Sequence, residues 1–106
     1  MNNLYYKQKL NKLIENLFTN EKDARERLIE NEELIFTVLL ASKSDDIDVE
    51  TQNNWQKLWN ELNVKNEIKL TENRIISSFK NTILSKRNKT LSKYLELIYE
   101  EYSKII

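Results

Sequence analysis

The chain contains neither glycine nor proline among its 106 residues, and this absence limits how it can fold. The commonest two-residue β-hairpins need positive φ angles, which glycine usually supplies. Helices joined by short loops depend on glycine far less, because asparagine, serine, threonine and aspartate also form turns. The composition therefore argues against β structure and predicts an all-α protein.

The spacing of apolar residues predicts five or six helices in one domain that spans residues 1–106. Apolar side chains recur at intervals of three and four residues, which places them on one face of a helix. The predicted helices cover residues 3–18, 21–30, 32–42, 49–62, 71–87 and 91–106. A break near Asn31 is optional, since one helix could continue through it. We expect a single compact bundle with mostly antiparallel neighbours.

The predicted helix 32–42 is apolar on every side, because the residues from Leu34 to Ala41 are almost all hydrophobic. Such a helix is typical of one surrounded by others. A buried strand would show the same pattern, but the sequence offers it no partner strand. Helix 32–42 is therefore predicted to be the central helix of the bundle.

Thr71 carries the clearest helix-start signal in the chain. Leu70 precedes it and Ile75 follows it by four residues, which is the spacing of a hydrophobic staple around an N-cap. This signal predicts that a helix begins at Thr71 and runs to about Arg87.

The predicted helix 21–30 is short and strongly charged. Glu21 with Arg25, and Asp23 with Arg27, are opposite charges four residues apart. Each such pair stabilises a helix by about 0.3 kcal/mol, so ion pairs along this helix are expected.

The residues that carry most enzyme chemistry are missing. The chain has no histidine and no cysteine, so the usual general base near neutral pH and every thiolate are absent. Adjacent carboxylates such as Glu32 and Glu33 diverge by about 100° on a helix and cannot converge on one substrate. We therefore expect no enzymatic activity and no cofactor.

The acidic stretch from Asp45 to Glu50 is the only candidate metal site in the sequence. A calcium loop of the EF-hand type needs a glycine at its turn and a bidentate glutamate at its end, and neither is present. Capping of the following helix by Asp48 explains the stretch better. No metal site is predicted.

A basic stretch is the sharpest local feature. Residues 73–95 hold six cations and no carboxylate, although the net charge of the chain is zero. Lys89 and Lys93 flank the start of a predicted helix, where the helix dipole favours acids. Residues that oppose a local stability preference with no visible compensating contact often mark a functional site. The candidate basic contact patch consists of Lys80, Lys86, Arg87, Lys89 and Lys93.

The C-terminal helix carries more apolar surface than one packing seam needs. Leu91, Leu95 and Ile98 lie on that seam, and several larger side chains fall outside it or at its edge. Exposed apolar surface of this kind marks interaction sites. The candidate protein-contact surface consists of Tyr94, Leu97, Tyr99, Tyr102 and Ile106. Trp55 and Trp59, by contrast, share a face with Leu58 and are expected in the core.

Three functions remain open from the sequence. The first is a protein-binding role, as an inhibitor, an immunity-type protein or an accessory subunit that docks through the C-terminal helix and the basic turn 86–93. The second is a nucleic-acid-associated protein that contacts phosphates through the same turn. The third is a self-associating protein with the C-terminal helix as a homodimer seam. The size and make-up resemble those of small helical accessory proteins, such as bacteriocin immunity proteins and phage-encoded inhibitors.

No apolar run approaches the roughly 18 residues of a membrane span, and the N-terminus lacks the order of a secretory signal. We therefore expect a cytoplasmic protein that does not use a membrane as a partner.

Overall fold

The computed structural model describes residues 3–19 and 21–106 of the chain. These residues form six α-helices and one β-hairpin, and the prediction of an all-α bundle of five to six helices is confirmed. The elements are α1 (Leu4–Phe18), α2 (Ala24–Glu30), α3 (Glu32–Ala41), α4 (Val49–Glu61), β1 (Ile68–Thr71), β2 (Arg74–Ile76), α5 (Ser78–Ser85) and α6 (Asn88–Ser103).

The core is built around α1, which packs against α2, α3 and α6. Its buried residues follow the spacing of three and four that one helix face requires. They are Tyr6, Leu10, Leu13 and Leu17. The other helices contribute Leu28, Ile35, Val38, Leu39, Trp55, Leu58, Phe79, Ile83, Leu91, Tyr94, Leu95 and Ile98 to the same cluster.

A buried hydrogen bond joins α1 to α4. The indole Nε1 of Trp55 donates to the hydroxyl oxygen of Tyr6 at 2.8 Å. Both side chains are almost fully buried, so each polar group finds its partner inside the core. Burial disfavours the phenolate and raises the pKa of Tyr6 to about 12.

Helix α3 contacts α1, α2 and α4, and it buries Ile35, Val38 and Leu39. It is not enclosed on every side, however, because Phe36 is 41% exposed and Leu40 is 52% exposed. The all-round apolar pattern of this segment therefore combines a core face with an apolar surface face.

The break at Asn31 is real, and it separates α2 from α3. The side chain of Asn31 is buried, where it donates to the carbonyl oxygen of Arg27 at 2.8 Å. It also accepts a hydrogen bond from the side-chain nitrogen of Asn16 at 3.1 Å. These bonds hold the one-residue break between the two helices, so the described ranges contain six helices.

The segment 68–76 is a β-hairpin, so the predicted helix start at Thr71 is wrong. Ile68 pairs with Ile76 and Lys69 with Ile75 in antiparallel register. Leu70 and Ile75 are both more than half exposed and do not form a staple. The helix begins seven residues later at Ser78, where the Ser77 hydroxyl accepts from the backbone N–H of Lys80 at 3.0 Å.

The hairpin forms without glycine because none of the described residues needs a positive φ angle. The register shifts between Lys69 and Thr71, which adds a residue on one strand. The backbone N–H of Asn73 also donates to the Thr71 hydroxyl at 3.3 Å inside the turn. The connection is the two residues Glu72 and Asn73, and the extra residue beside it in β1 accompanies a turn without the positive φ angles that favour glycine.

Two arginines of α2 bond to backbone carbonyls of other elements instead of forming the predicted pairs with Glu21 and Asp23. Arg25 donates to the carbonyl oxygens of Ile83 and of Lys86, the latter at 2.8 Å. Arg27 donates to the carbonyl oxygen of Leu17 at 2.6 Å. Asp23 is the N-cap of α2, which therefore begins at Ala24 and not at residue 21.

The Arg25 contacts give a stability prediction. Replacing Arg25 by alanine leaves the carbonyl groups at the end of α5 without their charged donor, and such bonds are worth about 1.5–3 kcal/mol. We expect Arg25→Ala to lower the free energy of unfolding in urea by about 2 kcal/mol. Arg74→Ala is the control, because Arg74 is exposed on the hairpin and should change it by less than about 0.5 kcal/mol. Equal effects of the two variants would contradict the assignment.

Candidate protein-docking surface

The predicted basic patch lies at the junction of α5 and α6, which is only two residues long. Lys86 follows α5, and Arg87 is the N-cap residue of α6. Both residues have extended backbone angles, so the chain changes direction there without glycine. Lys89 and Lys93 follow within the first two turns of α6, one turn apart on the same side.

Lys80 lies in the first turn of α5 and not at the junction. Arg25 adds a fifth cation to Lys86, Arg87, Lys89 and Lys93 there, and it holds the junction in place. Its guanidinium bonds the carbonyl oxygen of Lys86 at 2.8 Å and the side-chain oxygen of Asn88 at 3.2 Å. The charge pattern within α2 predicts a local partner for Arg25, so the sequence does not reveal this role. Arg25 is 61 residues from Lys86 and 63 residues from Asn88, and no feature of the sequence links positions so far apart.

None of the five predicted cations forms an ion pair with a described residue. Lys80, Arg87, Lys89 and Lys93 are exposed, and Lys86 is half-buried. Across residues 3–19 and 21–106 the ion pairs are Lys22 with Glu30, and Lys104 with Glu101. The patch therefore keeps its positive charge for solvent or a partner.

The N-terminal turn of α6 carries charges that oppose its dipole. The first turn contains no acidic residue, and Arg87 provides no side-chain hydrogen bond as N-cap. Lys89 occupies the second position of the helix. The positive end of a helix disfavours a cation by roughly 0.3–1 kcal/mol. The arrangement therefore costs stability within α6.

The predicted aromatic surface is divided by the structure into three parts. Tyr94 is only 7% exposed and belongs to the core, so its placement on a contact surface is wrong. Leu97 and Tyr99 are 42% and 48% exposed, but two positions apart on a helix they point to opposite sides. Tyr102 is half-buried beside Tyr99, with ring centroids 6.0 Å apart. Ile106 lies beyond the end of α6 and is 76% exposed.

Phe18 completes the surface around Tyr99. The rings of Phe18 and Tyr99 meet edge to face with centroids 5.7 Å apart, and Phe18 is 42% exposed. The apolar spacing of α1 alone would place Phe18 on the inward face, but its ring is partly exposed. Phe18 follows the buried Leu17 and lies about 100° around the helix from it, which accounts for the difference.

A depression of about 600 Å³ opens between the end of α1 and the outer face of α6. Its walls combine two aromatic rings with polar side chains at the rim. It is lined by Phe18, Ser92, Leu95, Glu96, Tyr99 and Glu100. An apolar side chain of moderate size would bury its surface against the rings here.

The basic junction and this depression form one continuous strip along α6. Lys89, Ser92, Glu96 and Tyr99 are spaced by three, four and three residues, which places them on one side of the helix. Lys89 and Tyr99 are ten residues apart, or about 15 Å along the helix axis. We call this strip the α6 docking surface, and it consists of Lys89, Ser92, Lys93, Glu96 and Tyr99 together with Phe18.

Both tryptophans pack in or against the hydrophobic core, as the sequence predicts. Trp55 is 1% exposed. Trp59 is partly buried between Phe36 and Phe79, with ring centroids at 5.0 and 5.6 Å. These rings stabilise the packing of α3, α4 and α5.

The acidic stretch 45–50 lies where α4 begins, with Asp48 as the N-cap residue. The Asp48 side chain makes no capping hydrogen bond; Gln52 instead donates to the carbonyl oxygens of Ser44 and Ile47, at 3.2 and 2.9 Å. Within the described part of the chain, no group of three acidic side chains is arranged to hold a metal ion.

Glu101 of α6 is a buried carboxylate on the side away from the docking surface. One of its oxygens accepts from Lys104 Nζ at 2.9 Å and from the side chain of Asn54 at 3.1 Å. The hydrogen bond to Glu101 raises the pKa of Lys104. The hydrogen bond from Asn54 to Glu101 anchors the end of α6 to α4.

Comparisons with protein-family models, with curated proteins and with solved structures found no match. None of the helices that the structure describes is both long and apolar enough to cross a bilayer.

The dipole conflict in α6 gives a second stability prediction. Lys89→Glu places an acid where the helix dipole favours one and removes repulsion from Arg87. We expect the free energy of unfolding to rise by about 0.5 kcal/mol at low ionic strength, and Lys89→Gln to raise it by less. The gain should shrink at high salt. A less stable Lys89→Glu variant would show that Lys89 has a structural role.

Proposed function

We propose that this chain is a non-catalytic protein-binding module that docks on a larger protein through the α6 docking surface. An inhibitor, an immunity-type protein or an accessory subunit would all work in this way. The observation that carries the proposal is unpaired Lys89, which the dipole of α6 disfavours, with unpaired Lys93 one turn further along and an exposed aromatic depression beyond it. Local stability would favour an acid at position 89, so a partner is the best explanation for this cation.

The surface defines the chemistry of the partner. A large apolar side chain of the partner enters the depression between Phe18 and Tyr99. Acidic residues of the partner, about 9 and about 15 Å along the helix axis from that anchor, face Lys93 and Lys89. Aromatic anchors in a desolvated pocket contribute most of the affinity of protein interfaces, while exposed charges mainly set specificity and association rate.

A second candidate is contact with nucleic-acid phosphates through the junction alone. The first N–H groups of a helix lack partners within the helix and attract anions, and here Arg87 and Lys89 surround them. This mode does not use the aromatic depression. Binding of this kind falls steeply with salt and depends little on Tyr99.

The proposal is tested by measuring binding of the tagged chain to the captured partner with matched variants. Tyr99→Ala should weaken binding by about tenfold or more, because an aromatic anchor is lost. Lys89→Glu with Lys93→Glu should weaken it through repulsion of acidic residues. The controls are Tyr5→Ala and Lys57→Glu, since both residues are exposed on other helices.

A partner that binds all four variants equally would contradict the proposed surface. Loss of binding with the lysine variant alone, together with steep salt dependence and binding to DNA or RNA, would favour the phosphate-contact candidate. Circular dichroism of each variant would verify that the helices are retained.

A further inference from the structure

The hairpin β1–β2 and Val64 before it expose several large apolar side chains. Val64, Ile68, Leu70 and Ile75 are between 41% and 62% exposed. The strands pair only with each other in the described part of the chain, so each has an open outer edge. An isolated two-stranded hairpin is marginally stable in water, and an open edge is a template for another strand.

The hairpin is held at its base, which leaves the strands outside the core. The backbone N–H of Lys65 donates to the hydroxyl of Thr82 at 3.0 Å. The side chain of Asn81 donates to the carbonyl oxygen of Asn66 at 2.8 Å. Neither strand packs extensively against a helix. The hairpin is thus positioned by α5 while its strands and edges stay accessible.

One face of the hairpin is apolar. Ile68 and Ile76 are directly opposite each other in the register and share this face. Leu70 is the extra residue between Lys69 and Thr71, where the alternation of side chains is interrupted, and it adds further exposed apolar surface. Lys69 and Ile75 form a pair on the other face. Two further strands from another chain, paired at an outer edge, would extend both faces of the sheet.

We propose that β1 pairs with β1 of a second copy of this chain, in antiparallel orientation about a twofold axis, to form a four-stranded sheet. The charges of Lys69 in β1 and of Glu67, which directly precedes β1 and lies outside the turn, support this occupant because they are self-complementary. With Ile68 opposite Ile68 of the second copy, Glu67 of each copy faces Lys69 of the other. Opposite charges directly across strands stabilise pairing, and the twofold axis provides this pair twice.

Other pairings fit the charges less well. A register that centres on the bond between Lys69 and Leu70 would place Glu67 opposite Glu72 of the second copy, which is repulsive. A register that pairs Lys69 with Glu72 would use the turn, since β1 ends at Thr71. The outer edge of β2 spans three residues and offers no carboxylate to Arg74. The register centred on Ile68 is therefore the one we assign.

Pairing through two short strands buries less surface than a standard interface, so the dimer is expected to be reversible. Sedimentation velocity from micromolar to millimolar concentration should show a monomer–dimer equilibrium. Lys69→Glu should weaken dimerisation by about tenfold, because both ion pairs become repulsive contacts. The double variant Glu67→Lys with Lys69→Glu should restore it, because the exchanged charges pair again.

Lys57→Glu is the matched control and should leave dimerisation unchanged, since Lys57 lies on α4. Thermal unfolding followed by circular dichroism should be the same for all variants, because residues 67 and 69 are exposed. A monomer at millimolar concentration would overturn the proposal. So would a dimer that ignores Lys69→Glu but is split by Tyr99→Glu, since it would use α6. Failure of the double variant to restore pairing would also overturn it.

Discussion

The position of α6 depends on the guanidinium of Arg25. This side chain lies on α2 and reaches across to the carbonyl groups where α5 ends, and to Asn88 where α6 begins. A junction of two residues without glycine has few other ways to satisfy those carbonyls, and the planar guanidinium matches several acceptors at once. Arg25 also brings positive charge to a place that already holds Lys86 and Arg87. The hydrogen bonds of Arg25 thus hold the junction in place, and its charge adds to the positive electrostatic potential there.

In α6, the stability of the helix and the proposed docking function place opposite demands on the charges of the first turn. Its inner face closes the core with α1 and α2, while the start of its outer face carries cations that its own dipole disfavours. The conflict is confined to exposed residues, where its cost stays small. The hairpin is a separate exposed element, so self-association and partner docking need not compete.

The sequence predicted the helices well where apolar spacing was long and regular, as in α1 and α6. It failed at residues 71–76, because Ile75, Ile76 and Phe79 also fit a helical period and Thr71 resembles a cap. The alternation of Ile68 and Leu70 was too short to outweigh that signal. The exposed lysines of the candidate site were predicted from the run of cations without carboxylates in residues 73–95. Tyr94 was misplaced because a narrow seam was assumed; α6 packs against both α1 and α2, which buries a wider stripe.

The most direct test of the docking account is site-specific photo-crosslinking in cells that express the chain. A photoreactive residue at Ser92 sits between Lys89 and Tyr99, and the same residue at Asn53 is exposed on α4. The account predicts a discrete crosslinked product from position 92 that disappears with Tyr99→Ala, and none from position 53. A product from position 53 alone, or one from position 92 that persists with Tyr99→Ala, would contradict it.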